Sequence, residues 1–194
     1  MENLSEKIVA CIEQQKKRSC TTDSIRQALN LTGSQDFILL QKTLEEMEDR
    51  YQIFRNDNGT WSTQKQRGYY EAKISINKKG MGFIDREPFD SLRIPVQDTH
   101  GALHGDIVIY SGEPYEPYGK VIAVKERAHE HIIALYAPKF HGAKTFKLVP
   151  EDEKLKDKRL IVEKLGNFSM AEGTKVLCKI ISSEGQDFRR DDFT

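Results

Sequence analysis

The hydrophobic period of the sequence changes near residue 67. Before this point apolar residues recur every three or four positions, which is typical of amphipathic helices. From about Gly68 onward apolar and polar residues alternate, which is typical of half-buried strands. A chain with this change of period is expected to build a helical part and a separate β part. The sequence therefore predicts an α+β protein with more than one domain.

Residues 1–66 are predicted to form three short helices followed by a hairpin. The apolar residues Leu4, Ile8 and Ile12 lie on one face of the first helix, and Thr21 or Thr22 is expected to cap the second. Residues 35–50 form the third. The Asn56–Gly59 segment between two short alternating runs predicts a hairpin, because Asn and Gly tolerate positive φ. This order is that of a winged helix-turn-helix domain, although a helical protein-docking domain has the same pattern.

Residues 67–127 are predicted to form a small β-barrel. Five short alternating segments fit strands at 70–76, 81–85, 91–96, 106–110 and 119–125, with turn residues such as Pro88–Asp90 between them. Five strands in about 60 residues are too few for a two-sheet sandwich and suit an OB-fold barrel.

Residues 128–194 are predicted to repeat this barrel in degenerate form. Four strand-like segments occupy 131–136, 144–150, 159–163 and 174–181, and His104-Gly-Asp matches Glu172-Gly-Thr in the order of the two units. The residues after Ser183 contain no clear fifth strand, so we expect the second barrel to be incomplete.

Charge and cysteine content exclude several classes of protein. The 194 residues include 30 basic and 30 acidic side chains, so the net charge gives no indication of a nucleic-acid partner. Cys11, Cys20 and Cys178 show no C-x-x-C spacing, which argues against a disulfide framework and a structural zinc site. The sequence has neither a membrane-length apolar run nor a secretory signal, which predicts a cytoplasmic protein that does not bind membranes.

The segment from Asn77 to Asp85 is the most informative for function. Alternation is expected to place Met81 and Phe83 on one face, while glycines at 80 and 82 leave room for a flat base to approach. Lysines at 78 and 79 would meet phosphates, and Phe83 would stack on a base of single-stranded nucleic acid. The alternative interpretation is that Phe83 belongs to the core and that the lysines form a solvated turn.

Residues 79–84, Lys-Gly-Met-Gly-Phe-Ile, resemble the first RNA-binding motif of cold-shock domains, in which Lys-Gly-Phe-Gly-Phe-Ile is usual. Together with residues 92–95 (Leu-Arg-Ile-Pro), 101–106 (Gly-Ala-Leu-His-Gly-Asp) and 119–121 (Gly-Lys-Val), they resemble the N-terminal region of the ribonuclease R group of RNB-family exoribonucleases. Two features depart from that pattern: Met81 stands where an aromatic residue is usual, and Arg93 stands where the second motif has Phe. An arginine side chain can still stack on a base and contact phosphate.

The resemblance implies a winged helix and two cold-shock domains that bind single-stranded RNA or the edge of a duplex. In this family a magnesium-dependent catalytic domain in cis, which follows these domains, degrades RNA from its 3′ end. The Asp cluster that holds Mg²⁺ has no counterpart in this sequence, so we expect no cofactor and no catalytic activity from this chain itself.

The residues expected to bind RNA are Lys73, Lys78, Lys79, Met81, Phe83, Arg86, Arg93, Lys144, Phe146 and Lys147. The last three are the best candidates in the second barrel, which lacks the glycines of the motif. The winged-helix residues that would contact nucleic acid are Gln35, Gln41, Lys42 and Arg55. No metal site is predicted. Asp191 and Asp192 are adjacent and would point opposite ways on an extended segment, and His129 and His131, expected to share a strand face, are only two ligands.

Two other functions fit the same sequence. A regulatory or protein-docking module is favoured by the neutral first segment, in which residues 1–67 contain ten basic and ten acidic side chains. A DNA-binding transcription regulator would use the helix around residues 35–42. The acidic side chains Glu45, Glu46, Glu48 and Asp49 on that helix would repel phosphate and disfavour this third function.

Overall fold

In the computed structural model the chain divides into two compact units, Met1–Tyr70 and Glu71–Thr194. The structure describes residues 3–15, 20–138, 145–155, 160–163 and 170–180, and the side chains of all of these except 138, 145–147 and 160–163. The fold is α+β, with several small antiparallel sheets and few helices. Within the described ranges, none of the helices has the length and apolar character needed to cross a membrane.

The first unit contains three helices, a hairpin and a short fourth helix. Its elements are α1 (Leu4–Gln14), α2 (Thr22–Ala28), α3 (Ser34–Asp49), β1 (Ile53–Arg55), β2 (Trp61–Thr63) and α4 (Gln64–Arg67). The predicted helices and hairpin are confirmed. Helix α4 was not predicted, because its sequence Gln-Lys-Gln-Arg has no apolar period; it begins after Thr63, whose hydroxyl accepts a hydrogen bond from the Gln66 N–H.

Local hydrogen bonds fix where α2 begins and how the hairpin meets it. Of the two predicted capping residues, Thr21 is the N-cap, since its hydroxyl accepts from the Ser24 N–H at 3.1 Å. The Thr22 hydroxyl instead accepts from the Trp61 indole N–H at 3.0 Å. The core of the unit comprises Ile8, Cys11, Ile12, Cys20, Ile25, Leu40, Leu44, Met47, Ile53 and Trp61. Ala28, the last residue of α2, is exposed.

The second unit begins within the first long strand of the chain. Its strands are β3 (Tyr69–Lys73), β4 (Ser75–Ile76), β5 (Gly82–Arg86), β6 (Phe89–Ile94), β7 (Ile107–Ser111), β8 (Lys120–Glu126), β9 (His131–Pro138), β10 (Thr145–Pro150), β11 (Leu160–Glu163) and β12 (Lys175–Lys179). These match the predicted strands closely. One predicted turn is wrong: Phe89 and Asp90 already belong to β6, which pairs back onto β5 from Phe89 opposite Arg86.

Strands β3–β8 form a closed circuit of pairings. One sheet has the order β4-β5-β6 and the other the order β3-β7-β8, and β3 and β4 are parts of one strand interrupted at Ile74. At the opposite edge, Arg93 of β6 pairs in parallel with Tyr118, just before β8. The Arg93 N–H donates to the Pro117 carbonyl at 2.9 Å, and the Gly119 N–H donates to the Arg93 carbonyl at 3.0 Å.

A glycine permits this closure. A Cβ at Gly119 would lie 2.5 Å from the Ser111 carbonyl oxygen and 2.6 Å from Leu92 Cδ2, so only glycine lets the strand approach the buried Leu92 this closely. The enclosed core consists of Ile74, Ile76, Ile84, Leu92, Ile94, Ala102, Val108, Tyr110 and Val121.

The remaining four strands form an antiparallel sheet with the order β11-β10-β9-β12. One corner has the same backbone hydrogen bonds in both halves of the unit, and the internal repeat of a whole barrel stays a prediction. The Gly105 N–H donates to the Ile74 carbonyl at 2.8 Å, and the Gly173 N–H donates to the Tyr136 carbonyl at 2.9 Å. In both places the residue after the glycine accepts a second hydrogen bond. The Asp106 carbonyl accepts from the Ile74 N–H, and the Thr174 carbonyl accepts from the Tyr136 N–H. The residues after Ser183, for which no fifth strand is predicted, lie outside the described residues.

Candidate nucleic-acid interface

Four side chains form one row across the outer face of the circuit. Ser75 of β4 lies opposite Phe83 of β5, Phe83 lies opposite Arg93 of β6, and Arg93 pairs with Tyr118. Paired residues of neighbouring strands project from the same face. Phe83 is half-buried, whereas Arg93 is exposed and Tyr118 is 52% exposed. We call these four residues the stacking row; it places an arginine between two aromatic rings.

Strand alternation produces this row. Ile84, Leu92 and Ile94 are fully buried. Their strand neighbours Phe83 and Arg93 must therefore point outward, because successive side chains of a strand alternate between its two faces. The prediction that Gly82 leaves room for a base is wrong for the same reason. Gly82 is buried, and a Cβ there would lie 2.8 Å from Ile74 Cδ1 and 3.1 Å from Ile94 Cβ, so the glycine makes room for the core.

The turn before β5 carries two of the predicted lysines. The Asn77 side-chain oxygen accepts hydrogen bonds from the N–H groups of Lys79 and Met81, at 2.9 and 3.1 Å, which holds the turn; Gly80 completes it with a φ of 80°. Lys78 and Lys79 are both exposed, and Met81 is half-buried. Lys78 Nζ lies 2.6 Å from a Glu153 carboxylate oxygen, and this hydrogen bond raises the pKa of Lys78.

Arg86 holds a loop in place. Its guanidinium donates to the carbonyls of Asp90, Glu113 and Glu116 at 2.8–3.3 Å. These bonds tie the segment 113–116 to the β5–β6 hairpin. Two prolines, Pro114 and Pro117, further restrict this loop. Most of the donor groups of Arg86 are therefore engaged within the protein.

The loop and the hairpin border a groove of about 590 Å³, which we call the aromatic groove. Its lining includes Phe83, Phe89, Arg93 and Tyr115. The Phe89 and Tyr115 rings meet edge to face, with centroids 5.6 Å apart and an interplanar angle of 82°, although Tyr115 is 89% exposed. An exposed aromatic ring held in a defined position provides a stacking surface with little ordering cost on binding.

The groove is electrically mixed. Arg86 and Arg93 line it together with Asp90 and Glu116. Among the described residues, the guanidinium of Arg93 and the carboxylates of Asp90 and Glu116 make no hydrogen bond or ion pair, so their polar groups are available to a ligand. This balance fits a ligand that stacks and hydrogen-bonds better than one held by phosphate attraction alone.

The predicted winged-helix residues lie apart along the first unit. Gln35, Gln41 and Lys42 are exposed on α3, where Lys42 lies 3.8 Å from Glu46, and Arg55 lies over the Trp61 ring at 5.8 Å. Two neighbouring apolar side chains on α3 are also exposed, Ile38 at 64% and Leu39 at 54%.

The other residues predicted to bind RNA are Lys73, Lys144, Phe146 and Lys147. Lys73 is exposed at the end of β3. Lys144 lies outside the described residues. Phe146 and Lys147 lie on β10, and for these two residues the structure describes the backbone alone.

Three histidines, His104, His129 and His131, border one pocket beside β9. His129 precedes β9, so the prediction that it shares a strand face with His131 is wrong, although both border one pocket with His104. His104 Nδ1 accepts a hydrogen bond from the Ile76 N–H at 3.1 Å. Within the part of the chain that the structure describes, no group of three or more His, Cys, Asp or Glu side chains is placed to hold a metal ion.

Sequence reasoning missed three aromatic residues of the interface: Phe89, Tyr115 and Tyr118. They lie in segments that were predicted as turns or as connections between strands, and such segments have no hydrophobic period that assigns residues to a face. The available signal was the pair of tyrosines in a proline-rich loop, since binding residues occur disproportionately on loops that a rigid scaffold positions.

Comparison with known proteins gives structural matches only. Mycoplasma genitalium RNase R in complex with ribose methylated single-stranded RNA matches 61% of this chain at 21% identity with a TM-score of 0.49. The apo form of that protein matches the same share at 20% identity, also with a TM-score of 0.49. Yeast Ssd1, a pseudonuclease, matches 52% at 16% identity with a TM-score of 0.40. No protein-family model and no curated protein matches the chain. The matched regions span 20% of the RNase R chains and 18% of the Ssd1 chain.

Proposed function

We propose that this chain is an RNA-capturing region of an RNB-family exoribonuclease. In this proposal the first unit is a winged helix-turn-helix domain, the circuit β3–β8 is an OB-fold barrel, and the sheet β9–β12 belongs to a second one. Single-stranded RNA lies across the outer face of the first barrel, and its 3′ end is passed to a magnesium-dependent catalytic domain outside these residues.

One observation carries the proposal: Phe83 and Arg93 are cross-strand partners on an outward face, with Tyr118 next in the row. An aromatic ring and a guanidinium side by side offer two successive stacking surfaces for unstacked bases. The motif in residues 79–84 leads to the same face, because its phenylalanine belongs to the row and its lysine lies in the turn just before β5.

The neutral charge of the chain is compatible with this mode of binding. A base stacked on a protein ring contributes about 1–3 kcal/mol without any net charge. Phosphate contacts from Lys79 and Arg93 would add a component that weakens with salt, because each contact releases counterions.

The test is a fluorescence titration of the whole chain with a labelled single-stranded RNA of about ten nucleotides, at low and moderate salt. The combined variant Lys79→Ala, Phe83→Ala, Arg93→Ala should bind at least about tenfold more weakly than the unaltered chain. Arg50→Ala, an exposed arginine at the end of α3, is the matched control and should bind normally. Absence of binding at low salt, or equal binding by the combined variant, would refute the proposal.

A protein-docking role for the first unit is a second candidate. The exposed neighbours Ile38 and Leu39 on α3 favour it, since apolar pairs on a helix surface are common at protein interfaces. If the double variant Ile38→Gln, Leu39→Gln abolishes self-association or partner capture while the triple RNA-face variant changes neither RNA binding nor association, docking is the better description.

A further inference from the structure

We propose that the aromatic groove selects a guanine base within single-stranded RNA. This inference rests on the proposed RNA-binding function and adds a base preference, which the sequence motifs do not indicate. It follows from the particular combination of side chains around the groove.

The groove offers two kinds of polar contact. Arg93 presents hydrogen-bond donors, and Asp90 and Glu116 present acceptors; among the described residues none of these three charged groups has a partner. A ligand that satisfies both kinds must carry donors on one edge and acceptors on another.

Guanine fits these contacts better than the other three bases. Its N1–H and N2–H₂ donors lie together on one edge and suit a carboxylate, and its O6 and N7 acceptors lie on another and suit an arginine. Uracil has a single N–H donor on its pairing edge, and adenine and cytosine present one exocyclic amine beside ring acceptors. Neither arrangement uses a carboxylate in bidentate fashion.

The groove is also ordered before binding. Arg86 fixes the carbonyls of Glu113 and Glu116, which positions the loop that carries Tyr115. Tyr115 packs edge to face against Phe89, so a ring surface is already in place beside the polar groups. A base that stacks there pays little conformational entropy. The volume of about 590 Å³ lies within the range of about 300–1,000 Å³ typical of small-ligand sites.

The two carboxylates are expected to change the affinity for RNA with guanine and the affinity for RNA without guanine in opposite directions. Asp90 and Glu116 repel phosphate, so they should lower the affinity for RNA without guanine and raise it for RNA that contains guanine. Removing their charge should therefore change the two affinities in opposite directions. A role limited to loop stability would shift both affinities the same way.

The experiment compares labelled oligouridylates of about ten nucleotides that carry one central guanosine, adenosine, cytidine or uridine. The unaltered chain should bind the guanosine oligomer about fivefold or more tightly than the others. The double variant Asp90→Asn, Glu116→Gln should lose this preference while it binds the all-uridine oligomer as well as before or better. Glu113→Gln, on the same loop but outside the groove lining, is the matched control and should keep the preference.

The outcomes separate this inference from the proposed function. Equal affinity of the unaltered chain for all four oligomers would overturn guanine selection and leave RNA capture in place. An unchanged preference in the double variant would overturn the role of the two carboxylates. Absence of binding to every oligomer would overturn RNA capture and this inference together.

Discussion

Asp106 and Arg127 form an ion pair at the corner that precedes β7, with 2.6 Å between Arg127 Nη1 and Asp106 Oδ2. Asp106 is completely buried, and its carboxylate also accepts hydrogen bonds from the N–H groups of Leu103 and Ala128, at 2.8 and 2.9 Å. Leu103 packs into the cluster that β9, β10 and β12 bury. The carboxylate therefore holds together the corner and the segment that leads from β8 into β9.

Asp106→Ala should lower the free energy of unfolding of the second unit by about 3–5 kcal/mol, because it leaves two N–H groups without their acceptor and the Arg127 guanidinium with the Gly101 carbonyl alone. Urea unfolding monitored by tyrosine fluorescence measures this loss. Asp98→Ala, in the 3₁₀ turn Val96–Asp98, is the control and should change stability by less than about 0.5 kcal/mol. A loss equal to that of the control would show that the ion pair contributes no stability.

Gly82→Ala should destabilise the second unit by about 1–3 kcal/mol, because the added methyl group enters a filled core beside Ile74 and Ile94. The folded variant should still bind RNA with normal affinity, since the methyl group points away from Phe83. Thermal unfolding and RNA titration of the same preparation test both statements. Weaker RNA binding with unchanged stability would restore the view that Gly82 makes room for a base.

The free energy of unfolding should fall as pH rises from about 9 to 11, in part through Cys20. Burial raises the pKa of Cys20 from 9.0 to about 11. In this range the unfolded thiol loses its proton while the folded thiol keeps it, so rising pH favours the unfolded state. Cys20→Ala should show a shallower loss of stability over the same range in urea unfolding. Identical slopes would exclude this linkage.

Glu153→Gln should strengthen RNA binding about two- to fivefold at low salt, because it frees Lys78 for phosphate and removes a negative charge. The salt dependence should become steeper by about one phosphate contact. Glu151→Gln, which releases Lys175 from a similar ion pair, is the matched control and should have a smaller effect. A titration at several salt concentrations measures both quantities, and equal effects of the two variants would argue against a phosphate contact by Lys78.

The sequence predicted the elements of this fold better than their contacts. Alternation located β5 and β6 and made Phe83 and Arg93 candidates, because a period of two assigns residues to faces. It did not indicate that the two residues face each other, since register depends on the hairpin between them. Gly82 was assigned to the outer, base-binding face because a glycine has no side chain whose polarity would indicate which face of the strand it belongs to.

Other features of the interface had no local signal. Tyr118 joins the row through a parallel pairing with Arg93, 25 positions earlier in the chain, and no short-range pattern encodes that contact. The partners of Asp106 include Arg127, which lies 21 positions later in the chain. The division into a winged helix and two barrels at residues 66/67 and 127/128 stays a prediction.

A double-mutant cycle on Phe83 and Arg93 tests the central claim most directly. RNA affinities of Phe83→Ala, Arg93→Ala and the double variant would be measured with one labelled single-stranded RNA at fixed salt. Each single change should cost about 1–3 kcal/mol of binding free energy, and the double change should cost less than their sum, because both side chains contact the same segment of RNA. Unaltered affinity in all three variants would contradict the assignment of RNA binding to this face.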